Sequence, residues 1–349
     1  MELYKVGKKS PFTIKETMNY FKSFSKELEN LDPVDFDSLA LHLFKFQALH
    51  NNVYRSYLTY RQIDISSIKE IDQIPYLPIS FFKTHKVVSG SEIDYNNFYS
   101  SSGTTGAITS RHFIWSEKFY LNHAVRIFEN QYGPIGDYHV LALLPAYLER
   151  KGSSLVAMAD DFIKKSGSSH SGFYLYEYQQ LVEKLNLLRS DDRKILLLGV
   201  TFALLDIAEK GYDFPEMENL IVMETGGMKG RRKEMIREEV HSILKEYFKV
   251  SEIHSEYGMT EMMSQAYSHG NGKYKLPSTM KVTLRDPNDP LSKSSRKQGG
   301  INIIDLANFH SCAFLETQDL GRFDEEGMLE VLGRFDNSDV RGCNLMVSS

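Results

Sequence analysis

One segment of this 349-residue chain has the composition of a phosphate-binding loop. After the apolar pair Phe98-Tyr99, residues 101–106 read Ser-Ser-Gly-Thr-Thr-Gly, which combines four hydroxyl side chains with two glycines. Glycine lets the backbone approach a ligand closely and the hydroxyls add donors, so the loop suits a polyphosphate. It is not a P-loop, because no Lys-Ser/Thr pair follows a second glycine at the required spacing. Alone, it is equally consistent with an ordinary linker. The candidate phosphate-binding residues are Ser101, Ser102, Gly103, Thr104, Thr105 and Gly106.

A second segment, Glu256-Tyr-Gly-Met-Thr-Glu261, follows an apolar run that is predicted to be a strand. Ligands bind at the carboxyl ends of the strands in open α/β sheets, where this segment is expected to lie. Tyr257 offers a flat face for a purine, Thr260 a hydroxyl for a phosphate, and Glu261 an oxygen ligand for Mg²⁺. The alternative is a simple strand-to-helix turn in which Glu261 interacts with the helix dipole. The predicted nucleotide-binding residues here are Tyr257, Gly258, Met259 and Thr260, with Glu261 as the metal ligand.

Two further glycine-containing motifs could complete a nucleotide site. Gly226 and Gly227 follow another predicted strand, and they allow the backbone to approach a flat ring or an anion closely. Asp319, in Thr317-Gln-Asp-Leu-Gly321, is a candidate bidentate acceptor for the ribose hydroxyls, and Arg334 follows in Gly333-Arg-Phe-Asp336. Each motif alone is also consistent with an ordinary turn.

Composition and charge restrict the class of protein. Hydrophobic content of 42% and charged content of 25% are typical of a soluble globular protein. The formal charge of -5, without a basic block, argues against a nucleic-acid partner. The N-terminus lacks the apolar core of a signal peptide, and the longest apolar stretch, 195–205, is too short to span a bilayer. Two cysteines provide neither a disulfide framework nor a zinc site, so we expect a cytoplasmic protein.

The hydrophobic pattern predicts an α/β fold. Residues 13–61 show helical spacing, and residues 98–267 alternate short apolar runs with amphipathic helices. This alternation predicts a mostly parallel sheet flanked by helices on both sides, followed by a hairpin-rich region. We expect strands at 139–144, 195–198, 220–223 and 250–255, and helices at 181–188, 202–209 and 231–248. The expected organisation is an N-terminal helical segment (1–95) docked on the core, an α/β nucleotide-binding core (96–270) and a β-rich C-terminal part (271–349).

Some positions are assigned to the core or to the surface by the same pattern. Leu49 belongs to the apolar stripe of the second N-terminal helix, and Ile236 and Ile243 belong to that of the helix at 231–248. No His-x-x-x-His or Cys/His spacing indicates a metal site, so most of the eleven histidines are expected at the surface.

In this order along the chain, the motifs resemble those of the acyl-adenylate-forming ligase superfamily. Residues 101–106 resemble its Ser/Thr/Gly phosphate loop, and residues 257–261 resemble its Tyr-Gly-x-Thr-Glu signature. Residues 317–321 are similar to its Thr-Gly-Asp-Leu-Gly segment, and residues 333–336 to its hinge Arg-x-Asp motif. The resemblance extends over residues 74–343, about three-quarters of the chain.

Three traits resemble one branch of that superfamily, the acyl-protein synthetases, or fatty-acid–luciferin-component ligases. The chain is short, and its segment Ile74-Pro-x-Leu-Pro-Ile-x-x-Phe-Lys83 is similar to the lead-in of that branch. A late cysteine, Cys343 in Arg341-Gly-Cys343, stands where that branch also carries a cysteine. The resemblance implies the fold of the ligases' large domain: mostly parallel sheets flanked by helices, with a small β-rich C-terminal part.

The resemblance also implies a two-step reaction with ATP and Mg²⁺ as cofactors. A carboxylic acid, expected to be a fatty acid, becomes acyl-AMP with release of pyrophosphate, and a thiol, expected on a protein or carrier, then accepts the acyl group. Thr260 and Glu261 are the implied catalytic residues of the first step, and Cys343 is the candidate thiol of the second. The implied acyl-pocket residues are Tyr147, Gly227 and Met228.

Alternatives and departures from the family pattern leave several points open. Cys343 could instead be a small buried hydrophobe. The protein could be an acyl-CoA ligase of the phenylacetate–CoA ligase type, or a catalytically silent nucleotide- or acyl-binding partner of a synthase. Larger members carry a mobile C-terminal domain whose lysine stabilises charge during adenylation, and we expect this domain to be absent. The candidate replacement cations are Lys83 and Arg111.

Overall fold

The computed structural model of the chain describes residues 12–90, 92–101, 108–145, 152–226, 235–286 and 298–334. Within these ranges the helices are α1 (Ile14–Glu29), α2 (Phe36–His50), α3 (Asn52–Tyr60), α4 (Phe81–Thr84), α5 (Glu117–Tyr132), α6 (Ser154–Ser166), α7 (Tyr178–Leu188), α8 (Thr201–Glu209) and α9 (Arg237–Phe248). The strands are β1 (Leu77–Pro78), β2 (Asn97–Ser100), β3 (Arg111–Ile114), β4 (Tyr138–Leu143), β5 (Gly172–Tyr174), β6 (Lys194–Val200), β7 (Leu220–Thr225), β8 (His254–Tyr257), β9 (Ala266–Ser268), β10 (Lys273–Lys275), β11 (Met280–Arg285), β12 (Gln298–Asp305), β13 (Phe314–Phe323) and β14 (Leu329–Arg334).

A large mixed sheet forms the centre of the described structure. Its strand order is β11-β12-β13-β14-β10-β9-β8-β7-β6-β4-β5, and β1 pairs with β13. Strands β5, β4, β6, β7 and β8 run parallel, whereas pairing from β8 to β9 and onward to β11 is antiparallel. The parallel strands are almost continuously apolar because helices cover both faces. The predicted α/β fold is confirmed.

A separate two-stranded sheet carries the hydroxyl-rich loop. Strands β2 and β3 are antiparallel, and their register pairs Tyr99 with His112 and Ser100 with Arg111. Side chains alternate between two faces along a strand, so Tyr99, His112 and Ile114 are buried. The short helix α4 packs against this hairpin through the Phe82 ring, 5.6 Å from that of His112.

The N-terminal helices pack on the segment between β12 and β13. Helix α1 begins with a capping box between Thr13 and Glu16, and its buried Phe21 and Phe24 lie against Phe309, with ring centroids 5.6 and 5.3 Å away. In α2, the Gln47 amide donates to the carbonyls of Asn308 (3.0 Å) and Phe309 (3.1 Å). Contacts with helices α1 and α2 therefore hold the segment that follows β12 in place. The three-part domain division remains a prediction.

Several local predictions were wrong. Helix α9 begins at Arg237, so Ile236 precedes the helix as its N-cap residue and is 67% exposed. Ile243 and Leu49 are also exposed, and β8 begins only at His254. Six of the eleven histidines are buried rather than at the surface: His50, His112, His123, His139, His241 and His310. In the described ranges, no helix has both the length and the apolar character needed to cross a bilayer.

Candidate active site

The sequence-predicted site residues divide into two groups. Ser102, Gly103, Thr104, Thr105, Gly106, Tyr147, Gly227, Met228 and Cys343 lie outside the described residues. The structure describes Ser101, Gly226, Tyr257, Gly258, Met259, Thr260, Glu261, Asp319 and Arg334. Ser101 follows β2 in the hairpin, and the other members of the second group lie at the carboxyl ends of β7 and β8 or on the β13–β14 pair.

The base of the hydroxyl-rich loop is closed by two hydrogen bonds between serines. The Ser101 N–H donates to the Ser110 carbonyl (3.1 Å), and the Ser110 N–H donates to the Ser101 hydroxyl oxygen (2.9 Å). These contacts extend the β2–β3 pairing by one step beyond Ser100 and Arg111. The loop therefore starts from a fixed position on the hairpin.

That loop base contacts the acidic segment that follows β8. The Ser110 side chain interacts with the Glu261 carboxylate and lowers its pKa. One strand position further on, His112 Nδ1 lies 2.8 Å from the Thr260 carbonyl oxygen. Two segments about 150 residues apart in the sequence are thus joined at Thr260 and Glu261.

Glu261 is a desolvated carboxylate with positive charge nearby. Its side chain is buried, with 6% of the residue exposed. Burial raises its pKa above the ordinary value, whereas the Ser110 side chain and the positive charges of Arg334 and Lys83 act in the opposite direction. This is a setting in which a bound cation would interact with the carboxylate more strongly than in water.

The two candidate cations named from the sequence lie in different surroundings. Lys83 is an exposed residue of α4, and its charge reaches Glu261. Arg111 is on the outer side of the hairpin, where its guanidinium carbon lies 5.7 Å from the centre of the Phe98 ring. Lys83 is therefore better placed than Arg111 to act at the base of the loop.

Tyr257, Asp319 and Arg334 form one connected group. The Tyr257 hydroxyl donates to Asp319 Oδ2 (2.8 Å), and Arg334 Nε lies 3.5 Å from Asp319 Oδ1. Asp319 and Arg334 are directly opposite each other on β13 and β14, and the Thr317 hydroxyl accepts from the Asp319 N–H (3.1 Å). Burial raises the pKa of Asp319, and the charge of Arg334 and the Tyr257 hydroxyl oppose this effect. The sequence motifs at 257, 319 and 334 therefore meet.

Gly226 lies at the same edge of the sheet as Tyr257. It follows directly after β7, with a φ of +81°, a left-handed backbone conformation that favours glycine. The preceding residue, Thr225, pairs with Glu256 in the β7–β8 register, and its hydroxyl donates to the Glu256 carboxylate. Gly226 and Tyr257 thus end adjacent parallel strands.

Sequence reasoning missed four polar residues that contact this site. Ser110 and His112 touch Glu261 and Thr260, while Asn308 and Asp305 hold the same turn from the β12 side. A signal existed for His112, because its neighbours in a short alternating strand, Arg111 and Phe113, point to the opposite face. In the described part of the chain, no group of three or more His, Cys, Asp or Glu side chains could hold a metal ion.

Comparison with known proteins places these features in a family. The sequence profile described as "Acyl-protein synthetase, LuxE" matches residues 23–120 and 149–349. A long-chain-fatty-acid–luciferin-component ligase from Aliivibrio fischeri is 20% identical over 340 residues, which cover 90% of this chain and 88% of that protein.

Solved structures of adenylate-forming ligases share the fold. An open conformation of 2-hydroxyisobutyryl-CoA ligase, in complex with 2-HIB-AMP and CoA, aligns with a TM-score of 0.63 at 15% identity, covering 86% of this chain and 69% of that one. ATP-bound MatB from Rhodopseudomonas palustris aligns with a TM-score of 0.50 at 16% identity, covering 68% of this chain. The alignment spans about half, 47%, of the MatB chain.

Proposed function

Because the chain belongs to the acyl-protein synthetase (LuxE) family, we infer that it is an ATP-dependent acid–thiol ligase. The substrate carboxylate attacks the α-phosphorus of ATP, which forms acyl-AMP and releases pyrophosphate. A thiol then attacks the acyl carbonyl, forms a thioester and expels AMP. The observation that carries this inference is the contact between the base of the hydroxyl-rich loop and Glu261 through Ser110.

The arrangement supports a specific placement of the nucleotide. The residues at 101–106 would hold the phosphates, and Thr260 would contact the α-phosphate. Tyr257 and the glycines at 226–227 would frame the adenine, and Asp319 with Arg334 would bind the ribose. Catalysis of such a step consists mainly of positioning and charge neutralisation. The adjacency of these groups at one edge of the sheet is consistent with that requirement.

We also propose Mg²⁺ as the metal that accompanies ATP. Mg²⁺ is usually bound by one or two carboxylates together with substrate phosphates and water, rather than by an all-protein cage. Glu261 fits this pattern, since it is a single buried carboxylate at the base of the loop. The ion would neutralise charge that develops on the phosphates.

Lys83 is proposed to supply positive charge during adenylation. We expect Lys83→Met to lower kcat for acid-dependent exchange of pyrophosphate into ATP by roughly 10–100-fold, because a charge that stabilises the transition state is lost. Lys86→Met is the matched control, since Lys86 is an exposed lysine of the same segment whose ammonium packs over the Phe113 ring (4.9 Å). Arg111→Met is expected to resemble the control. A larger loss in Arg111→Met than in Lys83→Met would contradict this assignment.

Asp319 is proposed to bind the ribose hydroxyls. Asp319→Asn is expected to raise KM for ATP by about 10-fold or more with kcat nearly unchanged, because a hydrogen bond to a charged group contributes about 1.5–3 kcal/mol. Steady-state exchange kinetics with ATP, 2′-deoxy-ATP and 3′-deoxy-ATP measure this. For the wild type, at least one deoxy analogue should have a higher KM than ATP. For Asp319→Asn, the KM of that analogue should be no higher than the KM of ATP. Equal discrimination by both proteins would place the ribose elsewhere.

The acyl group is expected to be that of a fatty acid, as the names of the curated relatives state for those proteins. We propose a protein cysteine as the acyl acceptor, and a cytoplasmic location remains a prediction. A series from decanoate to myristate, compared with short and aromatic acids, would identify the preferred chain.

One experiment separates this function from its alternatives. The protein is incubated with ATP, Mg²⁺ and mixed acids, with and without CoA, and both pyrophosphate exchange and the intact protein mass are measured. If pyrophosphate exchange occurs and the protein carries an acyl adduct, the result supports an acyl-protein synthetase. Exchange with acyl-CoA as the product supports the phenylacetate–CoA ligase type. ATP binding without exchange, for any acid, supports a catalytically silent partner and overturns the proposal.

A further inference from the structure

The turn that carries Thr260 and Glu261 has little regular structure of its own. It occupies residues 258–265, between β8 and β9, and is neither helix nor strand. Within it, the Met262 N–H donates to the Met259 carbonyl (3.0 Å). Two catalytic groups on such a turn need support from elsewhere in the chain, because a shift of about 1 Å at a reacting group can cost 10²-fold in rate.

Asn308 and His112 hold the carbonyl groups of this turn. Asn308 Nδ2 donates to the Glu261 carbonyl oxygen (2.7 Å), and Asn308 Oδ1 lies 2.9 Å from His112 Nε2. His112 Nδ1 in turn lies 2.8 Å from the Thr260 carbonyl oxygen. Burial lowers the pKa of His112 to about 4, so the ring is neutral at pH 7. Its single N–H is donated to one of two oxygens, the Thr260 carbonyl or Asn308 Oδ1. Both side chains are completely buried.

Asp305 holds the other end of the turn. Its Oδ2 accepts the N–H groups of Met263 (2.7 Å) and Ser264 (3.1 Å), and its Oδ1 accepts the Ser264 hydroxyl (2.7 Å). Asp305 is the N-cap residue of the short 3₁₀ helix Leu306–Asn308, and Asn308 is the last residue of that helix. One short segment therefore contacts the turn at the Glu261 carbonyl and again at Met263 and Ser264.

Helix α2 holds this segment in place. Gln47 of α2 donates to the Asn308 carbonyl (3.0 Å), and the Gln47 side-chain oxygen accepts the Ala313 N–H (2.9 Å). Burying an amide, an imidazole and a carboxylate around one turn is unfavourable unless each finds hydrogen-bond partners. When their members are satisfied, such polar clusters make the local structure rigid and define its geometry. Here the geometry that they specify is the position of Glu261.

We propose that Asn308 is a positioning residue, which holds the Glu261 main chain so that the Glu261 carboxylate stays at the base of the hydroxyl-rich loop. This inference rests on the proposed function. Asn308 does not contact the reacting atoms itself. Groups that orient a metal-binding or catalytic side chain in this way typically account for 10–100-fold in activity or metal affinity.

The test compares two buried asparagines that make the same kind of bond. Asn308→Asp removes the amide donor to the Glu261 carbonyl, and Asn51→Asp removes a matching donor to the Ser311 carbonyl (2.9 Å) while its Oδ1 still accepts the Tyr54 N–H. Both residues are 0% exposed. If either Asp variant fails to fold, the pair Asn308→Ala and Asn51→Ala replaces it, and the free energy of unfolding is measured for all variants.

Three measurements decide the outcome. Asn308→Asp is expected to lower kcat for pyrophosphate exchange by roughly 10–100-fold relative to Asn51→Asp, and to raise the Mg²⁺ concentration needed for half-maximal exchange. In the ligand-free protein, amide hydrogen exchange at residues 260–264 should be faster in Asn308→Asp only. Matching kcat and matching amide exchange in the two variants would overturn the positioning role.

The two proposals fail in distinguishable ways. If the wild type itself shows no pyrophosphate exchange with any acid, the proposed function is wrong, and amide exchange at 260–264 still reports whether Asn308 holds the turn. If the wild type is active and Asn308→Asp behaves like Asn51→Asp, the function stands and the positioning role is wrong.

Discussion

Glu261→Gln is expected to abolish acid-dependent exchange of pyrophosphate into ATP, with a loss of at least about 10²–10³-fold in kcat. The substitution keeps the size of the side chain and its contact with Ser110. It removes the negative charge of the carboxylate that is proposed to bind Mg²⁺. Exchange is measured at saturating ATP and acid over a range of Mg²⁺ concentrations. Raising Mg²⁺ should recover only part of the activity.

The control for this prediction is Glu316→Gln. Glu316 is another largely buried carboxylate whose pKa burial raises, and it faces Arg285 Nε at 3.9 Å rather than the loop. Its removal is expected to change the free energy of unfolding while exchange stays near the wild-type rate. Normal exchange in Glu261→Gln, or an equal loss in Glu316→Gln, would remove Glu261 from the proposed site.

Cys343→Ala is expected to separate the two halves of the reaction. Pyrophosphate exchange should persist, because adenylation does not use the thiol, whereas covalent acyl-protein should disappear. Arg341, two residues before Cys343 in the sequence, is proposed to favour the thiolate of Cys343. Intact-protein mass spectrometry after incubation with ATP, Mg²⁺ and a fatty acid measures the adduct, and hydroxylamine should remove it if it is a thioester.

The second cysteine provides the control. Cys312 is 0% exposed, burial raises the pKa of its thiol to about 12, and its Sγ lies 3.5 Å from the Phe314 carbonyl oxygen. A thiol in this setting stays protonated at neutral pH and cannot be reached by an acyl-adenylate. Cys312→Ala should therefore retain the adduct. An adduct that survives in Cys343→Ala and is lost in Cys312→Ala would reverse the assignment.

The results of the two experiments also discriminate between the functional alternatives. A protein that needs Glu261 but not Cys343, and that makes acyl-CoA when CoA is present, would be an acyl-CoA ligase. A requirement for Glu261 together with loss of the adduct in Cys343→Ala supports an internal thiol acceptor. If Cys343→Ala instead transfers the acyl group to a second protein at the normal rate, the acceptor thiol lies on that partner.

Much of the fold could be predicted because it depends on local periodicity. The buried strands β4, β6 and β7 and the helices α7 and α8 lie within one to three residues of their expected positions. Continuous apolar runs and 3.6-residue spacing depend only on neighbouring residues, so sequence reports them well. The prediction that Ile236 is buried was wrong because this residue lies just before α9, outside the helix whose spacing was used to predict its burial.

By itself, the sequence determined the chemical types and the order of the nucleotide motifs, because a loop of hydroxyls and glycines or a Tyr-Gly-x-Thr-Glu run is contiguous in the chain. Only the tertiary structure decided which groups meet. It joins Ser110 to Glu261, Tyr257 to Asp319, and Asn308 to the turn that carries Glu261. These partners are 47 to 151 residues apart, and their contacts depend on how the β2–β3 hairpin and the segment after β12 pack against the large sheet. Local sequence carries no record of that packing, since the same buried histidine or asparagine is compatible with many environments.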